Sequence, residues 1–153
     1  MTTQLSHITT VWRLSTADVA PLEQMYSNYT PLGGTFGLPP PDPARRKKWL
    51  DDLREGINLV AYVDGKLAGH LALLATDDAL ELVAYVHQEF RRLGIAATLT
   101  KAAIAEARTG GYSKIWLLVA KDNLAAQQGL EKLGFRIDWA DLHEMQFSYP
   151  TTR

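Results

Sequence analysis

An apolar run over residues 80–86 stops at a short polar connection, a glycine follows, and an alanine-rich segment with helical spacing begins at once. The stretch is Val86-His87-Gln88-Glu89-Phe90-Arg91-Arg92-Leu93-Gly94-Ile95-Ala96-Ala97-Thr98-Leu99. It predicts a strand, a tight loop and a helix over residues 95–108. Ile95, Leu99, Ala102, Ala103 and Ala107 form an inward face whose small side chains allow close approach to a sheet. Gly110-Gly111 end that helix, and residues 114–119 (Ile115, Trp116, Leu117, Leu118, Val119) form a nearly continuous apolar run, the pattern of a strand covered on both faces. A strand, helix and strand of this size predict a right-handed crossover joining two parallel strands.

The loop inside this unit has a chemical consequence. The first four N–H groups of a helix lack intrahelical partners and the helix dipole adds partial positive charge there, so an anion is the natural ligand. Gly94 and the small Ala96 and Ala97 leave little side chain in the way of a bulky phosphate, and Arg91 and Arg92 can add charge-assisted hydrogen bonds. Neither G-x-G-x-x-G nor G-x-x-x-x-G-K-[ST] occurs, which excludes the common dinucleotide and nucleoside-triphosphate loops.

Upstream, residues 8–14 alternate with β-branched side chains and predict a first strand. Ser15 or Thr16 caps a helix carrying Val19, Leu22, Met25, Tyr26 and Tyr29 at helical intervals. Residues 30–43 then hold three glycines and five prolines, a composition that suits neither helix nor sheet interior. So long a loop reads either as a plain surface excursion or as a binding wall. Pro43 starts a second amphipathic helix over residues 44–55, with Trp49, Leu50 and Leu53 on one side, which Gly56 ends. Its Arg45-Arg46-Lys47-Lys48 cluster is a solvated face or, alternatively, a contact for an anionic ligand. Residues 58–63 and 67–75 flank Asp64-Gly65, a hairpin turn in which both residues tolerate positive φ. Thr76-Asp77-Asp78 turn the chain into residues 80–86. After the crossover, Asn123 opens a short helix to Leu133, Gly134 caps it, and residues 135–139 and 142–149 close as a strand pair.

A chain of 153 residues, 46% of them hydrophobic and with no linker composition, predicts a single domain over residues 1–153. The formal charge of −1 gives no general attraction to nucleic acid or to anionic membrane. The absence of cysteine removes disulfides, thiolate metal sites and a cysteine nucleophile, and agrees with a reducing cytoplasm. No apolar segment reads as an export signal or a membrane span, so a cytoplasmic location is expected.

The loop Arg91-x-x-Gly94-x-Ala96, preceded by Tyr85-Val86-His87-x-Glu89-Phe90, resembles the Q/R-x-x-G-x-G/A acyl-CoA loop of the GNAT superfamily of N-acetyltransferases. A second stretch, Asn123-x-x-Ala126 followed by Glu131-Lys132-Leu133-Gly134-Phe135, is similar to the family's "N-x-x-A…yEKlGF". The resemblance covers residues 8–149 and implies an α/β fold with a central, mixed but mostly antiparallel sheet of about seven strands and helices on both faces. It implies acetyl-CoA as co-substrate, with its pyrophosphate on the backbone of Arg91, Arg92, Leu93, Gly94, Ile95, Ala96 and Ala97. Its pantetheine arm would lie between two splayed parallel strands, against main-chain groups of Tyr85 and Val86, with Asn123 and Ala126 contacting the arm. The N–H of Val86 would polarise the thioester carbonyl.

Acetyl transfer to a primary amine, whose pKa is around 10, requires a group that takes a proton. Glu81, on the strand before the loop, is the candidate base; a polar residue near a strand end is the plain reading. Strand alternation puts Glu81, Val83 and Tyr85 on one face unless a bulge intervenes. Where relatives often carry a tyrosine that protonates the departing thiolate, this chain has Leu130, so Tyr85 becomes a weaker candidate acid. The plain reading of Asn123 is an ordinary helix cap, a role compatible with the contact to the arm. His70 reads as a half-buried strand residue, His87 as a surface residue or phosphate contact, and His143 lacks the companions of a metal site, so no metal is expected. The expected acceptor is a small-molecule amine or a peptide, without nucleic-acid or membrane partners; pairing of the last strands in a homodimer would be in keeping with such folds. The alternative reading is an acyl-CoA-binding regulatory or sensor module with little transferase activity.

Overall fold

The computed structural model describes residues 7–33 and 37–152. Their elements follow the expected order: β1 (Thr9–Arg13), α1 (Val19–Ser27), α2 (Pro43–Leu53), β2 (Ile57–Val63), β3 (Lys66–Thr76), β4 (Ala79–Val86), α3 (Ile95–Thr109), β5 (Lys114–Ala120), α4 (Leu124–Leu133), β6 (Arg136–Ala140) and β7 (Glu144–Pro150). The strands form one seven-stranded sheet in the order β1-β2-β3-β4-β5-β7-β6. Every neighbouring pair is antiparallel except β4 and β5, which the α3 crossover makes parallel.

Local chemistry sets the joints. Asp42 accepts a hydrogen bond from the Arg45 N–H at 2.9 Å and Pro43 occupies the first turn of α2, where its missing N–H costs nothing. Asp64 and Gly65 both adopt positive φ, 49° and 83°, as a two-residue hairpin between right-twisted strands demands.

The period of two divides the strands between two cores. Leu59, Ala61, Val63, Leu71 and Leu73 face α3, where Ile95, Leu99, Ala103, Ile104 and Ala107 meet them. Val60, Ala72 and Tyr85 face the other way, against Leu22, Met25 and Tyr26 of α1 and Leu50 and Leu53 of α2. Helices therefore cover both faces, but unequally. The cover from α1 and α2 reaches over β2, β3 and β4 and stops short of β5. In consequence Leu118 is 44% exposed, whereas the apolar run had predicted burial on both faces of that strand. None of the described helices is long and apolar enough to cross a membrane.

Gly56 is required by close approach. A Cβ at this position would lie 2.2 Å from the Leu73 carbonyl oxygen and 2.9 Å from a Leu74 methyl. Gly56→Ala is expected to destabilise the protein by about 2–3 kcal/mol, since the obstruction is backbone and has to move. Thermal denaturation should register a fall of roughly 5–10 °C, and a loss below about 2 °C would mean that β2 and β3 separate easily here.

Candidate active site

The parallel pair β4–β5 is joined by only two rungs, Leu80↔Ile115 and Glu81↔Trp116. Beyond them the strands diverge toward the end where the loop into α3 begins, leaving a fork in the middle of the sheet. Which groups look into that fork follows from hydrogen-bond parity. The His87 N–H donates to the Ala68 carbonyl at 2.8 Å, and in an antiparallel ladder alternate residues turn to alternate neighbours. With His70↔Tyr85 and Gly69↔Val86 in register, Tyr85 spends its main-chain groups on β3, while Ala84 and Val86 direct theirs toward the fork. Val86 is thus the member of the expected Tyr85–Val86 pair whose N–H faces the gap. Ala84 is a second such donor that no side-chain pattern could single out.

At the mouth of the fork stands the loop. Gly94 is the N-cap of α3 with φ 75°, a left-handed conformation that glycine adopts without cost. Arg92 also has positive φ, 67°, an unusual state for a residue with a side chain and one that collects at ligand sites. The first carbonyl of the helix, Gly94 O, accepts from the Thr98 N–H at 3.1 Å. The preceding N–H groups, from Ile95, Ala96 and Ala97, have no partner among the described residues, as expected of the donors at a helix start. Leu93, Gly94 and Ala96 are exposed and Ala97 partly so, which leaves the backbone approachable. Across the fork, Asn123 caps α4, its side-chain oxygen accepting from the Ala126 N–H at 3.2 Å. Its amide NH2 has no partner among the described residues.

Glu81 occupies the last rung before the strands part, half-buried and without a hydrogen-bond partner among the described residues. No bulge interrupts the β3–β4 register, so Glu81, Val83 and Tyr85 share one face, as alternation predicts. Burial raises the Glu81 carboxyl above the ordinary range, which makes its anion a stronger base. Tyr85 turns into an aromatic cluster with Tyr26, Tyr29 and Trp49, its ring centroid 5.2 Å from that of Trp49, and its hydroxyl donates to the Gly37 carbonyl. Burial, with the neighbouring Tyr29 and Glu81, raises its pKa far above that of a free phenol. Leu130 is packed into the core beneath α3 and has no proton to give.

Two histidines differ from expectation. His70 is fully buried, not half-buried. Asn58 donates its amide hydrogens to the carbonyls of Leu53 and Gly56, so its oxygen must accept from His70 Nε2 at 2.6 Å. The Tyr26 hydroxyl then donates to His70 Nδ1 at 2.7 Å. Burial lowers the His70 pKa to about 3, so the ring is a neutral fixture of the core, out of reach of solvent. His87, expected at the surface or on a phosphate, is also buried. Its Nδ1 accepts from the Glu89 N–H at 3.2 Å and its Nε2 donates to the Asn28 carbonyl at 2.8 Å. Arg91 differs too: Nε donates to the Val86 carbonyl at 3.0 Å, Nη2 donates to the Thr30 carbonyl, and the guanidinium lies over the Tyr29 ring. Part of the charge expected to meet phosphate is committed to these protein groups. Residues 34–36 of the irregular loop lie outside the described residues.

The same architecture recurs in solved structures, and part of the chain matches a relative in sequence. An uncharacterized N-acetyltransferase of Mycobacterium tuberculosis is 35% identical over 97 residues, 62% of this chain and 62% of the relative, so the match spans less than two thirds of that protein. The ribosomal-protein-S18-alanine N-acetyltransferase of Escherichia coli superposes with a TM-score of 0.74 at 18% identity, covering 95% of this chain and 96% of its own. The protein yncA of Salmonella typhimurium, solved with its cofactor acetyl-CoA, superposes with a TM-score of 0.75 at 19% identity over 94% of each chain. The family model of the GNAT acetyltransferases matches residues 21–135, a span that takes in most of α1, the fork, the loop into α3 and the cap of α4. The chain belongs to the GNAT family of acetyltransferases.

Proposed function

We propose that this protein is an acetyl-CoA-dependent N-acetyltransferase that transfers the acetyl group directly to a primary amine held beside it. The observation that carries this reading is the fork: two N–H groups, from Ala84 and Val86, face a gap between β4 and β5 that opens onto the unpartnered N–H groups at the start of α3. The gap suits an extended arm bearing amides, and the helix start suits its diphosphate. Arg92, Leu93, Gly94, Ile95, Ala96 and Ala97 form the phosphate cradle, and Asn123 and Ala126 flank the arm. The likeness to yncA, solved with acetyl-CoA, supports the same ligand here.

In this reading Glu81 takes a proton from the incoming ammonium, directly or through water. The freed nitrogen attacks the thioester carbonyl, and the fork-facing N–H groups stabilise the oxyanion. As the new C–N bond forms, the C–S bond breaks and sulfur departs as thiolate, and the second proton left on the nitrogen passes to that thiolate or to water, leaving a neutral amide and coenzyme A. A thiol pKa of about 8.5 makes that departure feasible with leucine at position 130. Leu130 also favours a second reading, a coenzyme-binding sensor with little transfer activity. The acceptor is a small amine or a peptide amine; the E. coli neighbour acts on a protein alanine, and a Vibrio cholerae neighbour on spermidine and spermine.

Calorimetric titration with acetyl-CoA, followed by thiol release in the presence of a panel of small amines, polyamines and amino-terminal peptides, tests both. Saturable binding and amine-dependent thiol release are expected. Binding and thermal stabilisation without acetylation of any amine would favour the sensor, and a flat titration would reject both.

A further inference from the structure

An amine has to reach the fork from one face of the sheet or the other. Toward α3 the way is filled, because Ile115, Val119 and Phe147 are buried in the core that α3 and Leu130 complete. The opposite face carries Glu81, and there the aromatic cluster around Tyr85 occupies the ground over β3 and β4. What stays open beside Glu81 is the surface of β5 and β7. Glu81 and Trp116 form a rung, so their side chains share that face, and alternation along β5 adds Leu118 to it. The register continues across the sheet as Leu118↔Gln146 and Gln146↔Trp139, which sets these three side chains in one row. With strands about 4.8 Å apart, the row runs about 10 Å away from the fork.

The row presents hydrocarbon and no charge. Leu118 and Trp139 are 44% and 41% exposed, although both are large and apolar. Asp138, the extra residue where the β6–β7 register shifts, has both oxygens occupied: Oδ2 accepts from Gln146 Nε2 at 3.0 Å and Oδ1 from the Ser148 hydroxyl at 2.8 Å. Trp116 is pinned in turn, its indole N–H donating to Thr76 Oγ1 at 3.0 Å. An alkyl or aryl body laid along such a row leaves water at a gain, whereas a second ammonium there would lose hydration without finding a partner.

We propose that Leu118 and Trp139 select the acceptor, a small primary amine whose body is an alkyl chain or an aromatic ring, laid along this row while its nitrogen stands at Glu81. The proposal rests on the acetyltransferase reading and narrows it from amines in general to apolar ones. The row lies away from the bonds that form and break, so it holds substrate and transition state alike. It therefore sets KM and leaves kcat as it is.

The test compares hexylamine with 1,5-diaminopentane, two amines of equal length in which a terminal methyl is exchanged for an ammonium. Phenethylamine, spermidine and an amino-terminal peptide complete the set, with thiol release from acetyl-CoA as the readout, for the wild type, Leu118→Glu and Trp139→Ser. In the wild type, kcat/KM for hexylamine should exceed that for the diamine by at least about tenfold, the lower end of what one apolar contact discriminates. Phenethylamine should resemble hexylamine. Leu118→Glu should narrow or invert the ratio by raising the hexylamine KM, with kcat and coenzyme A affinity preserved, and Trp139→Ser should narrow it in the same way. The ratio compares two amines on one protein sample, so a fraction of unfolded variant cancels from it. A wild-type ratio near one, a preference for spermidine or the peptide over both apolar amines, or a ratio unchanged in both variants would overturn the proposal. Absence of thiol release with every amine would instead overturn the acetyltransferase reading itself, and the two failures are told apart by whether any amine is acetylated at all.

Discussion

Glu81→Gln should lower kcat/KM for amine acetylation by about 10²–10⁴-fold, the usual contribution of a positioned general base. Coenzyme A affinity should stay as it is. The substitution keeps the size of a half-buried side chain at the last rung of the β4–β5 pair and removes only its ability to accept a proton. The pH profile gives the sharper check. Because burial raises the Glu81 carboxyl above 4.5, its anion is lost at a higher pH than for an exposed glutamate. In the wild type, kcat/KM should therefore rise with pH through an acid limb displaced upward from the ordinary carboxylate range. The glutamine variant should lack that limb and retain only the rise at higher pH that comes from ionisation of the amine itself. Equal rates and superimposable profiles would remove Glu81 from the chemistry.

Gly94→Val should weaken coenzyme A binding by at least about 100-fold, or roughly 2.7 kcal/mol. Two effects combine. Valine at φ 75° strains the backbone by about 1–3 kcal/mol, and relaxation of that strain rotates the N–H groups away from the direction in which they converge. The added side chain also projects into open space, since nothing lies within 4 Å of a Cβ built there, and that space is where the diphosphate would sit. Gly65→Val is the matched control. Gly65 has φ 83° and equally open surroundings, but it belongs to the β2–β3 hairpin. Both variants should lose comparable stability, and only Gly94→Val should lose coenzyme. Unchanged affinity in Gly94→Val would dissociate the helix start from phosphate binding.

The sequence made the order of the elements and the course of the crossover legible because both rest on local signals. Asp64-Gly65 announces its hairpin through the φ angles it tolerates, and Gly94 announces the start of α3 in the same way. Alternation in β4 placed Glu81, Val83 and Tyr85 on one face, and the unbroken register kept them there. What escaped depends on partners far away in the chain. The burial of His87 is caused by the Asn28 carbonyl, 59 residues distant, and Arg91 is drawn from the phosphate side by Thr30 in the same manner. The exposure of Leu118 reflects how far α1 and α2 extend over the sheet, which no apolar run encodes. The distinction between the main chains of Tyr85 and Val86 required the parity of the β3–β4 ladder, fixed by one hydrogen bond between His87 and Ala68. Main-chain chemistry of that kind leaves no trace in residue type, and for the same reason Ala84 carried no mark.

With two rungs as the whole of the backbone bonding between β4 and β5, the four strands on one side and the three on the other are hinged at one end and open at the other. A thioester arm lodged in the opening would supply the missing rungs and so serve as a temporary eighth strand. Metabolic supply of the acyl donor would then set the rigidity of the enzyme as well as its rate, and a cell depleted of that donor would hold a looser, more protease-sensitive form of the same molecule.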